Sequence, residues 1–250
     1  MNRFDSNCFV GNWPFFPVAE NRVKDLVKIH KRYGISGGFV SSLEAIFYQD
    51  PYVAEKRLSE ELVGTGYQHI MVLNPMLPAW KDDLLRCVKE LNITGVRLLP
   101  GFHSYTLEDE VLDDVISEVK KYNLCILLTL RMHDDRMTWM YHPRVLPMDE
   151  IAKFINKIKD TRVLLNHIRL HELEKLNEFG IDWDNLFVDI CGFTGGVNAL
   201  DRALKVKYLQ GHIVYGSGAP LLEAYSSVFQ LETSDTDENV KNTIFKGSFS

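Results

Sequence analysis

The sequence predicts a (β/α)8 barrel, the TIM-barrel architecture, on three observations. Short apolar runs alternate with longer amphipathic segments along the whole chain. The chain is 250 residues long, the usual size of such a barrel. Several apolar runs end in polar or charged side chains, as strands do when their carboxyl ends face a pocket. Because strand–helix–strand crossovers are right-handed, such units most naturally close on themselves. A doubly wound open sheet is the runner-up, but no Gly-x-Gly-x-x-Gly follows the first strand to support it. No linker or low-complexity segment breaks the alternation, so residues 1–250 are expected to form a single domain.

The elements follow in order. Arg3–Val10 is the first strand, and Glu20–Tyr33 a helix with Val23, Leu26, Val27 and His30 on one face. Gly37–Ser41 is the second strand, and the next helix spans Pro51–Val63, with Asp50 as its expected cap before a first-turn proline. His69–Leu73 precedes a helix over Lys81–Leu91, and Gly95–Leu99 one over Leu107–Tyr122. Leu124–Leu130 is a continuous apolar run, the pattern of a strand buried on both faces. It leads into a long connection and a helix at Asp149–Lys159. Arg162–Asn166, a helix at His171–Phe179, Leu186–Ile190, a helix at Val197–Lys207 and Ile213–Tyr215 complete the alternation. Helical tails follow at Leu221–Phe229 and Asp237–Phe245.

Hydrophobic residues make up 46% and charged residues 25%, the balance of a globular domain rather than a disordered chain. The net charge of −6 argues against nucleic acid or an anionic membrane as partner. Cys8, Cys87, Cys125 and Cys191 show no zinc-ligand spacing. Buried thiols in a reducing compartment are the plain reading. With no signal-like stretch and no segment of membrane-spanning length, a cytoplasmic location is expected.

Reading only the strand ends gives a polar inventory. It comprises Asn7 and Phe9; Ser41 and Ser42; Asn74; Arg97, with His103 and Tyr105 in the loop beyond; Thr129, Arg131 and His133; Asn166 and His167; Asp189; and Ser217. Thr129, Arg131 and His133 share parity and therefore a face. Arg97 lies between Val96 and Leu98; if these pack against outer helices, its guanidinium points into the barrel. Such a buried cation demands a partner or an anion. Each residue also has a plainer reading as a turn, cap or salt-bridge residue. Cys8, opposite in parity to Asn7, points toward the helix layer and is a poor nucleophile.

The order of these pieces resembles the amidohydrolase-related family of metal-dependent TIM-barrel hydrolases and decarboxylases. FDSNCFVG resembles the family's Ile-Asp-x-His-x-His opening, GVRLLP its fourth strand, and VLLNHIRL the strand with a metal-ligating histidine. IVYGSGAP resembles the closing Gly-Ser-Asp-x-Pro motif, and TDENVKNTIFKGSFS the C-terminal helix. The resemblance places the metal-ligand positions at Asn7, Phe9, Thr129, His167 and Gly218, and only His167 keeps its residue type. A catalytic zinc needs three protein ligands and an open position. No cofactor is therefore expected, and zinc only through rearranged ligands such as His103 or His133.

Two readings follow. In the first, the chain is an enzyme, a hydrolase or lyase acting on a small carboxylate-bearing anion through an Arg/His/Asp site. His167, His133, Asp134 and Asn7 form its catalytic set. Arg97 and Arg131 clamp the anion, and His103, Tyr105, Arg136, Asn166 and Ser217 complete substrate binding. Met132–Pro147, with Trp139, Tyr141 and His142, serves as lid or wall. In the second, the chain is a ligand-binding pseudoenzyme that keeps the pocket without turnover. A Ser217/His167/Asp189 triad lacks a Gly-x-Ser-x-Gly elbow. Trp13, Phe15 and Phe16 fit a pocket wall or a homodimer contact better than a cofactor box.

Overall fold

The computed structural model describes residues 3–132, 141–193 and 198–247. Its strands are β1 (Arg3–Val10), β2 (Ile35–Ser42), β3 (Tyr67–Val72), β4 (Gly95–Leu98), β5 (Cys125–Thr129), β6 (Val163–Asn166), β7 (Leu186–Asp189) and β8 (Ile213–Val214). They line up in chain order, each parallel to the next. The ring closes beyond the short β8. Ser6 N donates to Tyr215 O at 2.9 Å, Gly218 N to Asn7 O at 2.7 Å and Phe9 N to Ala219 O at 2.8 Å.

Around the ring lie α1 (Val23–Lys31), α2 (Tyr52–Leu62), α3 (Trp80–Glu90), α4 (Pro100–His103), α5 (Val111–Lys121), α6 (Met148–Lys157), α7 (Leu170–Glu178) and α8 (Ala199–Lys205). The C-terminal tails are α9 (Ala224–Glu232) and α10 (Glu238–Lys246). Each helix turns an apolar stripe inward; in α5 it is Leu112, Val115, Ile116 and Val119, the spacing of one helical face. Two expectations are corrected. Asp50 does not cap α2: Pro51 is the N-cap, and no side chain accepts from the first turn. The expected helix over Leu107–Tyr122 starts only at Val111, because Asp109 bonds Thr106 N and Oγ1 and holds the chain in a turn. The four-residue α4, opened by Pro100, was not expected from the sequence.

Strand alternation sorts the side chains. Val96 and Leu98 face outward into a core shared with Leu84, Cys87, Val115 and Val119 of α3 and α5. The inward residues Phe39, Ile70, Cys125, Leu127, Leu164 and Val214, with Phe4 and Phe187, fill the lower barrel. Burying one such leucine contributes about 2 kcal/mol. Above this plug the inward positions turn polar: Asn7, Ser41, Arg97, Thr129, Asn166 and Asp189 are all buried. The barrel thus changes character toward its C-terminal end, where a (β/α)8 fold carries its chemistry.

Candidate active site

Arg97, on β4, is fully buried at the centre of this polar layer. Its Nη1 donates to Asn7 Oδ1 at 2.9 Å, Thr129 Oγ1 at 2.8 Å and Asn166 Oδ1 at 3.2 Å. Nε donates to Ser41 Oγ at 2.8 Å, and the guanidinium carbon lies 4.2 Å from the centre of the Phe9 ring. Nη2 is buried without a hydrogen-bond partner. Burial pulls the guanidinium down to about 10, so it is still a cation at neutral pH.

The balancing charge is Asp189, at the end of β7. Its Oδ2 accepts from Asn7 Nδ2 at 2.7 Å and Asn166 Nδ2 at 2.8 Å, and its Oδ1 from His167 N and Cys191 Sγ, both at 3.0 Å. Each asparagine therefore turns its oxygen to Arg97 and its nitrogen to Asp189. Cation and anion are joined through two amides rather than in direct contact. Gly216 makes room for this arrangement: a Cβ there would lie 2.7 Å from Asp189 Cβ and 3.1 Å from Asn7 Cβ.

His167 follows β6 with a left-handed backbone, φ 63°. Asp189 holds its N–H, and Arg131 Nη1 donates to its carbonyl at 3.3 Å. Burial lowers the imidazole pKa against the opposing charge of Asp189, and Arg131 lowers it further. The ring is thus neutral at pH 7 and able to accept a proton. Arg131 is fixed in turn by a bidentate pair with Glu172 of α7, with Nη1 to Oε2 at 2.8 Å. Glu172 also accepts from Arg169 N at 3.0 Å, closing the first turn of the helix. Arg97 and Arg131, the expected anion-binding pair, each have protein partners of their own, Arg97 within the polar layer and Arg131 on Glu172.

A cavity of about 260 Å³ opens beside Arg131, lined by residues including Phe102, Met132, His142 and Arg144. Its described lining carries Arg131, Arg144 and His142 and no acidic side chain. Arg144 pairs with Glu150, which also accepts from Leu107 N at 2.7 Å. Phe102 and Tyr141 stack with centroids 5.6 Å apart, and Trp13 meets Phe102 at 5.8 Å. Trp13, Phe15 and Phe16 thus join an aromatic and apolar cluster with Phe9 and Met132 at this end of the barrel.

Other expected site residues are taken up by packing. Ser217 is fully buried and donates to Asp5 Oδ2 at 2.5 Å. His103 Nε2 lies 2.9 Å from Ile46 O, and burial pulls the imidazole down to about 4. Tyr105 sits in the outer core with Leu98 and Leu112. None of the three lines the cavity, because their anchors lie in the β1–β8 seam, the turn at Glu44–Ile46 and the helix layer. His133, Asp134, Arg136 and Trp139 lie outside the described residues. Sequence reasoning missed Glu172, Arg144 and Glu150, and underweighted Asp189. Only the position of Glu172, three residues beyond the helix-opening Arg169, was a signal.

Asp5 was also missed. Its carboxylate accepts from Asn7 N and Ser217 N, each at 3.0 Å, and from Ser217 Oγ, with His30 Nε2 at 3.1 Å. His30 Nδ1 lies 2.8 Å from the Tyr67 hydroxyl. Asp5, Cys8 and His30 bring one ligand atom each within 4.8 Å of one another, a set able to hold a metal ion. Asp5 Oδ1 already accepts from two backbone N–H groups and Oδ2 from the Ser217 hydroxyl, and Cys8 Sγ donates to Phe39 O at 3.1 Å.

No family model matches the sequence, and no curated protein does. Solved structures do. The 5-carboxyvanillate decarboxylase of Sphingomonas paucimobilis superposes with a TM-score of 0.73 at 12% identity, over 98% of this chain and 96% of that one. An amidohydrolase described as putative from Staphylococcus aureus gives 0.73 at 11% identity, over 98% and 97%. A probable 2-pyrone-4,6-dicarboxylic acid hydrolase of Acinetobacter baumannii gives 0.70 at 14% identity, over 98% and 96%. The chain has the (β/α)8 fold of these structures. A 5-carboxyvanillate decarboxylase of Novosphingobium aromaticivorans on the same fold carries bound manganese.

The positions at which the sequence resemblance expects metal ligands offer few donor atoms to such an ion. Phe9 has no donor atom and Gly218 no side chain. Asn7 Oδ1 and Thr129 Oγ1 are turned to Arg97 Nη1. His167 remains, a neutral imidazole beside Arg131 and Asp189.

Proposed function

We propose that this chain acts on a small carboxylate-bearing molecule at the C-terminal mouth of the barrel, as a hydrolase or lyase working without a divalent metal at the amidohydrolase position. The observation that carries this reading is the cavity wall, which combines Arg131, Arg144 and His142 with no described acidic residue. Arginines held rigid by Glu172 and Glu150 give up little side-chain entropy on meeting a carboxylate. Phe102 and Met132 supply the apolar contact for the rest of the molecule. The solved barrels of like fold include two decarboxylases of aromatic carboxylic acids and a dicarboxylic acid hydrolase, which accords with this class.

In this reading Arg131 and Arg144 bind and orient the carboxylate, and His142 in the cavity wall is the imidazole nearest the ligand. His167, outside the lining but tied to Arg131 through its carbonyl, is assigned as proton acceptor. Its backbone is fixed at N by Asp189 and at O by Arg131, so the left-handed conformation is over-determined, as strained residues at functional sites are. Binding without turnover is the second reading. It is favoured by the apolar cluster of Phe9, Trp13, Leu99 and Met132, whose Phe9 ring covers the Arg97 guanidinium.

The test is a calorimetric screen of benzoates and short dicarboxylates against their amides and alcohols, followed by product analysis of any binder. Carboxylates are expected to bind, the neutral analogues not, and Arg144→Ala to weaken binding about tenfold or more. Conversion that disappears in His167→Gln identifies the enzyme; binding without conversion identifies the second reading. Neutral and charged compounds binding alike would overturn both.

A further inference from the structure

Three of the five positions where the sequence resemblance expects metal ligands, Asn7, Phe9 and Thr129, are turned toward a cation that the chain itself supplies. Asn7 and Thr129 accept from Arg97 Nη1, and Phe9 stacks on its guanidinium at 4.2 Å. Asn166, next to His167, accepts from the same nitrogen at 3.2 Å. We propose that the Arg97 guanidinium is a built-in cation standing where the amidohydrolase barrels hold a metal ion, with the ligand positions rewritten to receive it.

The donor chemistry fits this exchange. A metal ion asks for imidazoles and carboxylates whose lone pairs converge on a point. A guanidinium is satisfied by neutral oxygens at its N–H groups and by an aromatic face. Asn7, Thr129 and Ser41 offer the first, and Phe9 the second. The charge is still required, because Asp189 is buried and its protein donors are amides, a backbone N–H and a thiol. Arg97 neutralises it through Asn7 and Asn166. The unpartnered Nη2 is the one corner of the fork without an acceptor.

The proposal is independent of the carboxylate reading, and its test uses no carboxylate. Full-length Arg97→Ala leaves a guanidinium-sized hole. Its Tm is expected to fall by roughly 10 °C and to recover by several degrees in low-millimolar guanidinium chloride that leaves wild type unchanged. Should that variant not fold, Arg97→Lys is compared with the equally long, uncharged Arg97→Met; lysine is expected to keep a Tm several degrees higher. Failure of guanidinium to rescue Arg97→Ala, or equal Tm for the lysine and methionine variants, would overturn the proposal. So would about one equivalent of manganese or zinc in wild type grown with both metals, if it is lost in His167→Ala.

Discussion

At the scale of single residues, burial decides which protons the molecule can carry. His103 is the clearest case, with a folded pKa of about 4 set first by burial and partly offset by its bond to Ile46 O. Because the folded value lies below the ordinary 6.5, the unfolded chain binds the proton more tightly. Stability is therefore complete above about pH 6.5 and falls as the pH drops toward 4, by about 3 kcal/mol in all from this group. His167 shifts in the same direction and adds to the same acid limb. His103→Gln keeps a donor for Ile46 O but cannot titrate. Urea unfolding at several pH values between 7 and 4.5 should show a shallower acid loss for the variant; parallel loss in both proteins would refute the assignment. The same scale separates what was legible in the site from what was not. Arg97 stood out because an arginine between Val96 and Leu98 has few places to go. Glu172 and Asp5 did not, because a carboxylate on a helix or in a first strand reads as surface until the fold brings its donors to it.

At the scale of elements, the strands were legible and their neighbours less so. β1 was read to the residue, and Cys125–Thr129 fell inside the expected apolar run, since a parallel strand buried on both faces needs apolar side chains throughout. The short α4 and the late start of α5 were not, because Pro100 and the Thr106–Asp109 turn act through local hydrogen bonds that periodicity does not register. The β1–β8 seam was likewise invisible. There Asp5 ties Ser217 on the β8 side to His30 of α1, and through His30 to Tyr67 of β3. Asp5→Ala would strand the Asn7 and Ser217 N–H groups and the Ser217 hydroxyl, and remove the carboxylate beside His30. The cost is expected at about 3–5 kcal/mol, a fall in Tm of roughly 10 °C. Thermal melts of Asp5→Ala beside Asp50→Ala, whose side chain caps nothing, check this. Equal melting of the two would show that the seam is held by its backbone bonds alone.

At the scale of the whole molecule, the sheet has no natural place to divide. Every strand from β1 to β8 pairs with its sequence neighbours, and Ser6, Asn7 and Phe9 carry the bonding across the seam. One outer core runs from Trp80 on α3 through α5 and α6 to Tyr215 and Phe245 of α10. Half a barrel would expose both the Phe39–Leu127–Val214 plug and the Arg97–Asp189 layer, an apolar and a charged surface at once. A single cooperative unit is therefore expected over the whole chain. Tryptophans report from separate sectors: Trp13 with the cluster over the Arg97 layer, Trp80 on α3 and Trp183 beside Tyr208 and His212. Unfolding followed through single-tryptophan variants at these sites should coincide with loss of far-ultraviolet helical signal. A separate earlier transition at Trp13 would show that the C-terminal mouth melts ahead of the barrel, and that the charged layer is held by the mouth rather than by the sheet.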